Sequence, residues 1–135
     1  MLFRSDLSPG YAMLAKFRTA AGFVAKQDFE AAEAAYLSLS ENPDVTSLYQ
    51  QAALLLSVMN APDSRDAKVL NDRIAGLEGA AGPWQAIALE LAAGLALRSG
   101  DRATALAKYE ALAGLADIPP SMRQRVSQMI QILKG

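Results

Sequence analysis

Enzyme chemistry needs nucleophiles, bases or metal ligands, and this chain of 135 residues is poor in all three. It has no cysteine and no histidine. That removes the thiolate nucleophile, the disulfide, the imidazole base and nearly every zinc site. Hydroxyls, lysines and carboxylates remain. No serine stands in a G-x-S-x-G elbow, no glycine loop carries a phosphate-cradling lysine, and no carboxylate pair has acid–base spacing. The segment Gly79-Ala80-Ala81-Gly82-Pro83 follows no strand pattern and lacks the lysine of a phosphate loop, so it reads as a linker. Glu90 interrupts the apolar run AIALELAAGLAL, residues 86–97. It has two readings: a contact to a ligand, or a residue that faces solvent or pairs locally with Arg98 or Lys16. The residue types therefore point away from catalysis, and no catalytic, cofactor-binding or metal-binding residue is expected.

Charge excludes further classes. With 13 basic and 14 acidic residues the formal net charge is −1. No basic stripe is present of the kind that displaces counterions from nucleic-acid phosphates, so no nucleic-acid partner is expected. The opening MLFRSD lacks the apolar core of a secretory signal, and residues 86–97 are too few to span a bilayer. Arg123, Arg125 and Lys134 make the last segment locally basic. They have two readings: a partner-binding patch, or arginines on a solvated face with Lys134 as a cation placed near a helix C-terminus. Met122 and Met129, at helical spacing, read as core.

The elements that position these residues are helices. Alanine dominates an apolar fraction of 52%, strand formers are sparse, and no run alternates apolar with polar. Start and stop signals predict helices over about 9–26, 28–41, 46–59, 64–77, 83–99, 101–115 and 120–134. Ser8 with Pro9 opens the first, Asp28 caps the second, and Asp101 caps the sixth. Ser47 with Gln50, and Ser121 with Gln124, have capping-box spacing. Asp63 or Ser64 is expected to start the fourth helix. The fifth, apolar on most sides, is expected to be central.

The chain also repeats itself. GDRATALAKYEALAG, residues 100–114, falls on QDFEAAEAAYLSLSE, residues 27–41, at a shift of 73. Asp28 meets Asp101, Ala32 meets Ala105, Tyr36 meets Tyr109, and Leu39 meets Leu112. Upstream, Tyr11 meets Trp84, Leu14 meets Ile87 and Ala20 meets Ala93. Downstream, Ser47, Leu48 and Gln50 align with Ser121, Met122 and Gln124 if one extra residue is allowed. Half the shift is close to the roughly 34 residues of a helical-hairpin repeat. A degenerate unit around Ala67, Asn71 and Ile74 is therefore expected between the copies. In Ala-x-x-x-Tyr-x-x-Leu, positions four and three apart share a helix face. The alanine lets a partner helix approach, and the tyrosine fills the groove beside it.

The pairs Ala32/Tyr36 and Ala105/Tyr109 resemble the second-helix signature of tetratricopeptide repeats. The consensus Trp, Leu-Gly and Tyr of the first helix are not recognisable, and Pro43 and Pro119 are displaced from the closing position. Over nearly the whole chain, GYAMLAKFRTAAGFVAKQDFEAAEAAYLSL, the helix after GPW, GDRATALAKYEALAG and IPPSMRQRVSQMIQIL are similar to the repeat domain of bacterial ancillary Sec-translocon subunits of alphaproteobacterial type. The resemblance implies an all-α, right-handed solenoid of about three antiparallel hairpins plus a C-terminal capping helix, as a single domain over 1–135. It also implies a periplasmic domain behind an N-terminal membrane anchor that this sequence does not include, with translocon or periplasmic chaperone components as partners. A cytoplasmic setting remains an alternative.

In such a superhelix the first helix of each hairpin lines the concave surface. The corresponding positions are Leu14, Phe17, Ala21 and Val24 in the first helix, and Ile87, Glu90, Gly94 and Leu97 in the fifth. The lysines and asparagine of a two-carboxylate clamp are missing there. Two readings of the apolar first helix stand side by side. One is a groove for a protein or peptide partner. The other is a face covered by upstream residues or by a second subunit in a homodimer.

Overall fold

The computed structural model describes residues 9–135, which form helices and the turns between them. The helices are α1 (Pro9–Ala25), α2 (Phe29–Glu41), α3 (Ser47–Met59), α4 (Ala67–Glu78), α5 (Gln85–Arg98), α6 (Arg102–Ala113) and α7 (Pro120–Lys134). The all-α expectation holds across the described residues, which contain no strand. The Ser8 cap expected ahead of α1 lies outside them. The chain divides into two compact units, Met1–Arg65 and Asp66–Gly135. In the first, α1 and α3 both pack on α2; in the second, α4 packs on α5, α5 on α6 and α6 on α7.

The shift of 73 residues is written into the backbone as well as the sequence. Asp28 Oδ1 accepts the Ala31 N–H at 3.2 Å, and Asp101 Oδ1 accepts the Thr104 N–H at 3.0 Å. Each side chain satisfies an orphan donor in the first turn of its helix. The preceding helices close in one way too. The Asp28 N–H reaches the Phe23 carbonyl at 2.9 Å, and the Asp101 N–H reaches the Ala96 carbonyl at 2.9 Å. The residue before each aspartate takes the left-handed conformation that such a closure needs: Gln27 with φ 60° and Gly100 with φ 79°. Glycine adopts this readily, whereas glutamine does so at a cost of about 1 kcal/mol. The turn geometry is thus kept even where its favoured residue is not.

Both cores match. Unit one buries Ala20, Tyr36, Leu39, Val45 and Ala53 together. Unit two buries Ala93, Tyr109, Leu112, Ile118 and Val126, the residues 73 positions on, together with Leu89, Ala105 and Met122. Ala32 and Ala105 are completely buried, and Tyr36 and Tyr109 keep only 5% and 6% of their surface exposed. The small–large pairing expected of these positions is what the cores contain. In α4, Ile74 is fully buried while Ala67 and Asn71 are half-buried.

Four local expectations are corrected. The register of α3 against α7 stays at 73, with no extra residue, because Val45 and Ala53 are buried opposite numbers of Ile118 and Val126. Leu48 is 45% exposed and so cannot be the counterpart of buried Met122. The capping boxes do not form: the N-caps are Thr46 and Pro119, neither with a side-chain bond, and Gln50 Nε2 donates instead to the Asn42 carbonyl at 2.8 Å. Finally, α4 starts at Ala67, since Pro62–Arg65 closes as a turn and Asp66 Oδ1 accepts the Lys68 N–H at 2.8 Å.

Ion pairs tie distant parts of each unit. The Arg65 guanidinium grips Glu33 with both carboxylate oxygens engaged, at 2.6 to 3.1 Å. The Glu33 side chain is 4% exposed and Arg65 is 38% exposed. In unit two, Lys108 of α6 pairs with Glu78 at the end of α4.

Two outcomes follow from these contacts. Tyr109→Ala should lower stability by about 3 to 5 kcal/mol, and Ala105→Leu by about 1 to 3 kcal/mol through overpacking. Chemical denaturation measures both, and unchanged midpoints would mean the pair does not hold the helices together. The Asp101 carboxyl sits below its ordinary value of 3.8 because the Thr104 hydroxyl and N–H both donate to it. A carboxyl depressed by folding stabilises fully above its unfolded value and loses that contribution as pH falls through the folded one. Asp101→Asn keeps the acceptor without the charge. Its thermal midpoint should therefore fall less than that of the parent between about pH 6 and about pH 3.

Candidate functional site

The first candidate face belongs to unit one. Phe17 of α1 lies over Tyr36 of α2, with ring centroids 6.2 Å apart, and meets Tyr49 of α3 edge-on at 6.4 Å. Both are aromatic pairings within the favourable range. The backbones of α1 and α3 each close on α2, and the two outer helices meet through these side chains. Large apolar side chains of α1 and α3 are exposed in this unit: Leu14 at 47%, Leu48 at 45% and Tyr49 itself at 45%. Ala21 is exposed as well, while Val24 is half-buried against the core. Burial raises the Tyr36 phenol above its usual pKa, so it stays neutral.

The counterpart in unit two is built differently. Glu90 occupies the position of Phe17, and its carboxylate receives both Nε and Nη2 of Arg125 from α7 at 3.0 Å. An ion pair thus links α5 to α7 where an aromatic contact links α1 to α3. Glu90 also helps burial raise the Tyr109 phenol. Arg125 is in turn held above its ordinary value by the hydrogen bonds it donates to Glu90. Ile87 and Leu97 are half-buried against the core, and Gly94 is exposed. Within unit two, Glu90 therefore pairs with Arg125 and not with Arg98.

The sequence-predicted face residues fall into two sets, one in each unit. Leu14, Phe17 and Ala21 share an accessible side of α1, and Val24 continues the row into the core. In α5, Ile87 and Leu97 serve packing, and Glu90 serves the link to Arg125. The basic residues of α7 are structural as well. Arg123 donates to the carbonyls of Ala113, Leu115 and Ala116 at 3.1 to 3.4 Å, closing the C-terminus of α6. Lys134 pairs with Glu110 at 3.3 Å. Sequence reasoning missed Tyr49 as a partner of Phe17. The available signal was Leu48-Tyr49, two large apolar residues together in the first turn of α3.

Unit two contains two cavities of note. One of about 270 Å³ in unit two is lined by Ala67 and Asn71 of α4, Ala92 and Leu95 of α5, and Thr104 and Lys108 of α6. Another of about 520 Å³ lies between the start of α5 and the α6–α7 turn, walled by Pro83, Ile87, Leu115, Ile118 and Met122. Among the described residues no three carboxylates gather to hold a metal ion. No helix among them is long and apolar enough to cross a membrane. Compared with known protein families, curated proteins and solved structures, the chain has no match in any of the three.

The Glu90–Arg125 link can be measured alone. A double-mutant cycle with Glu90→Ala and Arg125→Ala should give a small favourable coupling, reduced by the solvent that reaches the arginine. Half-molar salt, roughly, should shrink it. A coupling of zero at low salt would mean the two arginine bonds contribute nothing to joining α5 and α7.

Proposed function

We propose that this chain is a non-catalytic helical-repeat scaffold that binds polypeptide partners through the face built on Leu14, Phe17, Ala21 and Tyr49. One observation carries the reading. In unit one, aromatic rings bridge two helices and leave large apolar side chains exposed, while the same position in unit two is closed by an ion pair. Exposed apolar side chains cost solubility, so their presence beside the Phe17–Tyr49 contact points to a use. The chemistry suits an extended or helical peptide with aliphatic and aromatic side chains laid against the Phe17–Tyr49 floor. No polar constellation accompanies it that would favour acyl, phosphoryl or hydride transfer.

Within this proposal the helices form a right-handed solenoid of tetratricopeptide type, one domain in which α7 serves as the C-terminal cap. Its polar Arg123, Gln124, Ser127 and Gln128 suit an end that faces water. In this reading the scaffold works on the periplasmic face of the inner membrane, with translocon or chaperone components as partners, an assignment that rests on the resemblance to ancillary translocon subunits. A homodimer through α1 is the second reading, favoured by the exposure of Leu14 at 47%.

Photo-crosslinking in cells from a reactive residue at Leu14 or at Tyr49, with Gln128 as control, tests the proposal. Adducts to other polypeptides at the first two positions and none at the third are expected. Adducts only between copies of the chain would establish the dimer instead, and none at any position would remove the binding face.

A further inference from the structure

In unit two, α5 is buried from two sides. Its Leu89 and Ala93 enter the core shared with α6 and α7. Its opposite row, Ala88, Ala92 and Leu95, is also buried, at 0%, 2% and 9% exposure. On that side α4 packs, with Ala67 and Asn71 facing Ala92 and Leu95. Alanine at two of the three positions lets the α4 backbone come close, as small residues do at helix crossings.

Helix α1 is the counterpart of α5, and its matching row is Ala15, Thr19 and Gly22 at the shift of 73. Ala15 and Thr19 are exposed, and a Cβ added at Gly22 would meet nothing within 4 Å. The Thr19 hydroxyl donates to the Ala15 carbonyl at 3.1 Å, so the row's one polar group is satisfied inside the helix. What covers this kind of face is on view in unit two: an amphipathic helix, capped by Asp66, with the stripe Ala67, Leu70, Ile74 and Leu77.

Charge selects among occupants. The charged residues of α1 are Lys16 and Arg18, with no carboxylate on the helix. Two α1 helices crossing at Thr19 would bring like charges together, whereas a helix of α4's kind carrying net negative charge would meet them favourably. We infer that the outer row of α1, Ala15, Thr19 and Gly22, docks an acidic amphipathic helix of a partner polypeptide, in the manner in which α4 lies on α5. The inference rests on the scaffold reading and adds a second surface to it, distinct from the Phe17–Tyr49 floor.

The chain supplies its own probe. A helix-stapled, fluorescently labelled peptide of residues 66–78 is titrated into the full chain, and anisotropy is read. Saturable binding is expected, weakened about tenfold or more by Thr19→Glu in the chain. It should tighten several-fold when the peptide carries Lys68→Glu, and it should weaken with salt. Circular dichroism confirms that Thr19→Glu still folds, and Ala15→Glu provides an independent variant of the same row. Absence of saturable binding, or binding indifferent to both variants, overturns the inference; indifference would place the peptide on α5 by exchange with α4. A dimer in sedimentation that Thr19→Glu dissociates would assign the row to a second copy and overturn it equally. Crosslinks from Tyr49 that persist while the peptide fails would remove this helix site and leave the scaffold reading in place.

Discussion

An alanine set one turn before a tyrosine is the contact on which each unit depends. Ala32 and Ala105 have no exposed surface. With only a methyl at that point, the neighbouring helix can approach until the tyrosine ring four residues on closes the remaining gap. Enlarging the alanine or shrinking the ring would break the match from opposite directions. Leu39 and Leu112 complete the face three residues later, and the two outer helices of each set are then positioned by the one between them. The capping aspartates and the left-handed residues before them set the angle at which the chain enters that central helix. These features recur together at one spacing, so they form one packing solution used twice.

What distinguishes the copies is where function can reside. The second surrounds its α5 with α4 on one side and α6 on the other, and it ties α5 to α7 with Glu90 and Arg125. The first keeps Phe17 against Tyr36 and Tyr49, leaves Leu14 exposed, and has small residues on the outer row of α1. Under the proposed function, side chains held by a packed three-helix layer would lose little conformational entropy on binding.

Much of this was legible in the residues. Helix positions followed from apolar period and from punctuation by proline, glycine and aspartate, and the repeat was visible as paired letters. The misreadings have physical causes. A capping box is a spacing of side chains, but whether it forms depends on which residue takes the extended cap conformation; Thr46 took it, so Ser47 fell inside the helix. The extra residue inferred between α3 and α7 came from matching serines at their surface, where identity carries little packing information. Burial at Ala53 and Val126 restored the register. Ion pairs such as Glu33 with Arg65, separated by 32 residues, leave no periodic trace and were invisible until the chain was folded. Arg123 read as a solvated cation because its acceptors are backbone carbonyls, which no sequence pattern announces.

The central claim is that two copies of one packing unit, each built around the Ala–Tyr–Leu face of its middle helix, hold this fold together. Native-state hydrogen exchange addresses it residue by residue. The slowest amides should lie in α2 between Ala32 and Leu39 and in α6 between Ala105 and Leu112, with matching residues 73 apart ranking alike within their units. If the strongest protection fell instead in α4 or in the outer turns of α7, with α2 and α6 exchanging early, the account would be wrong.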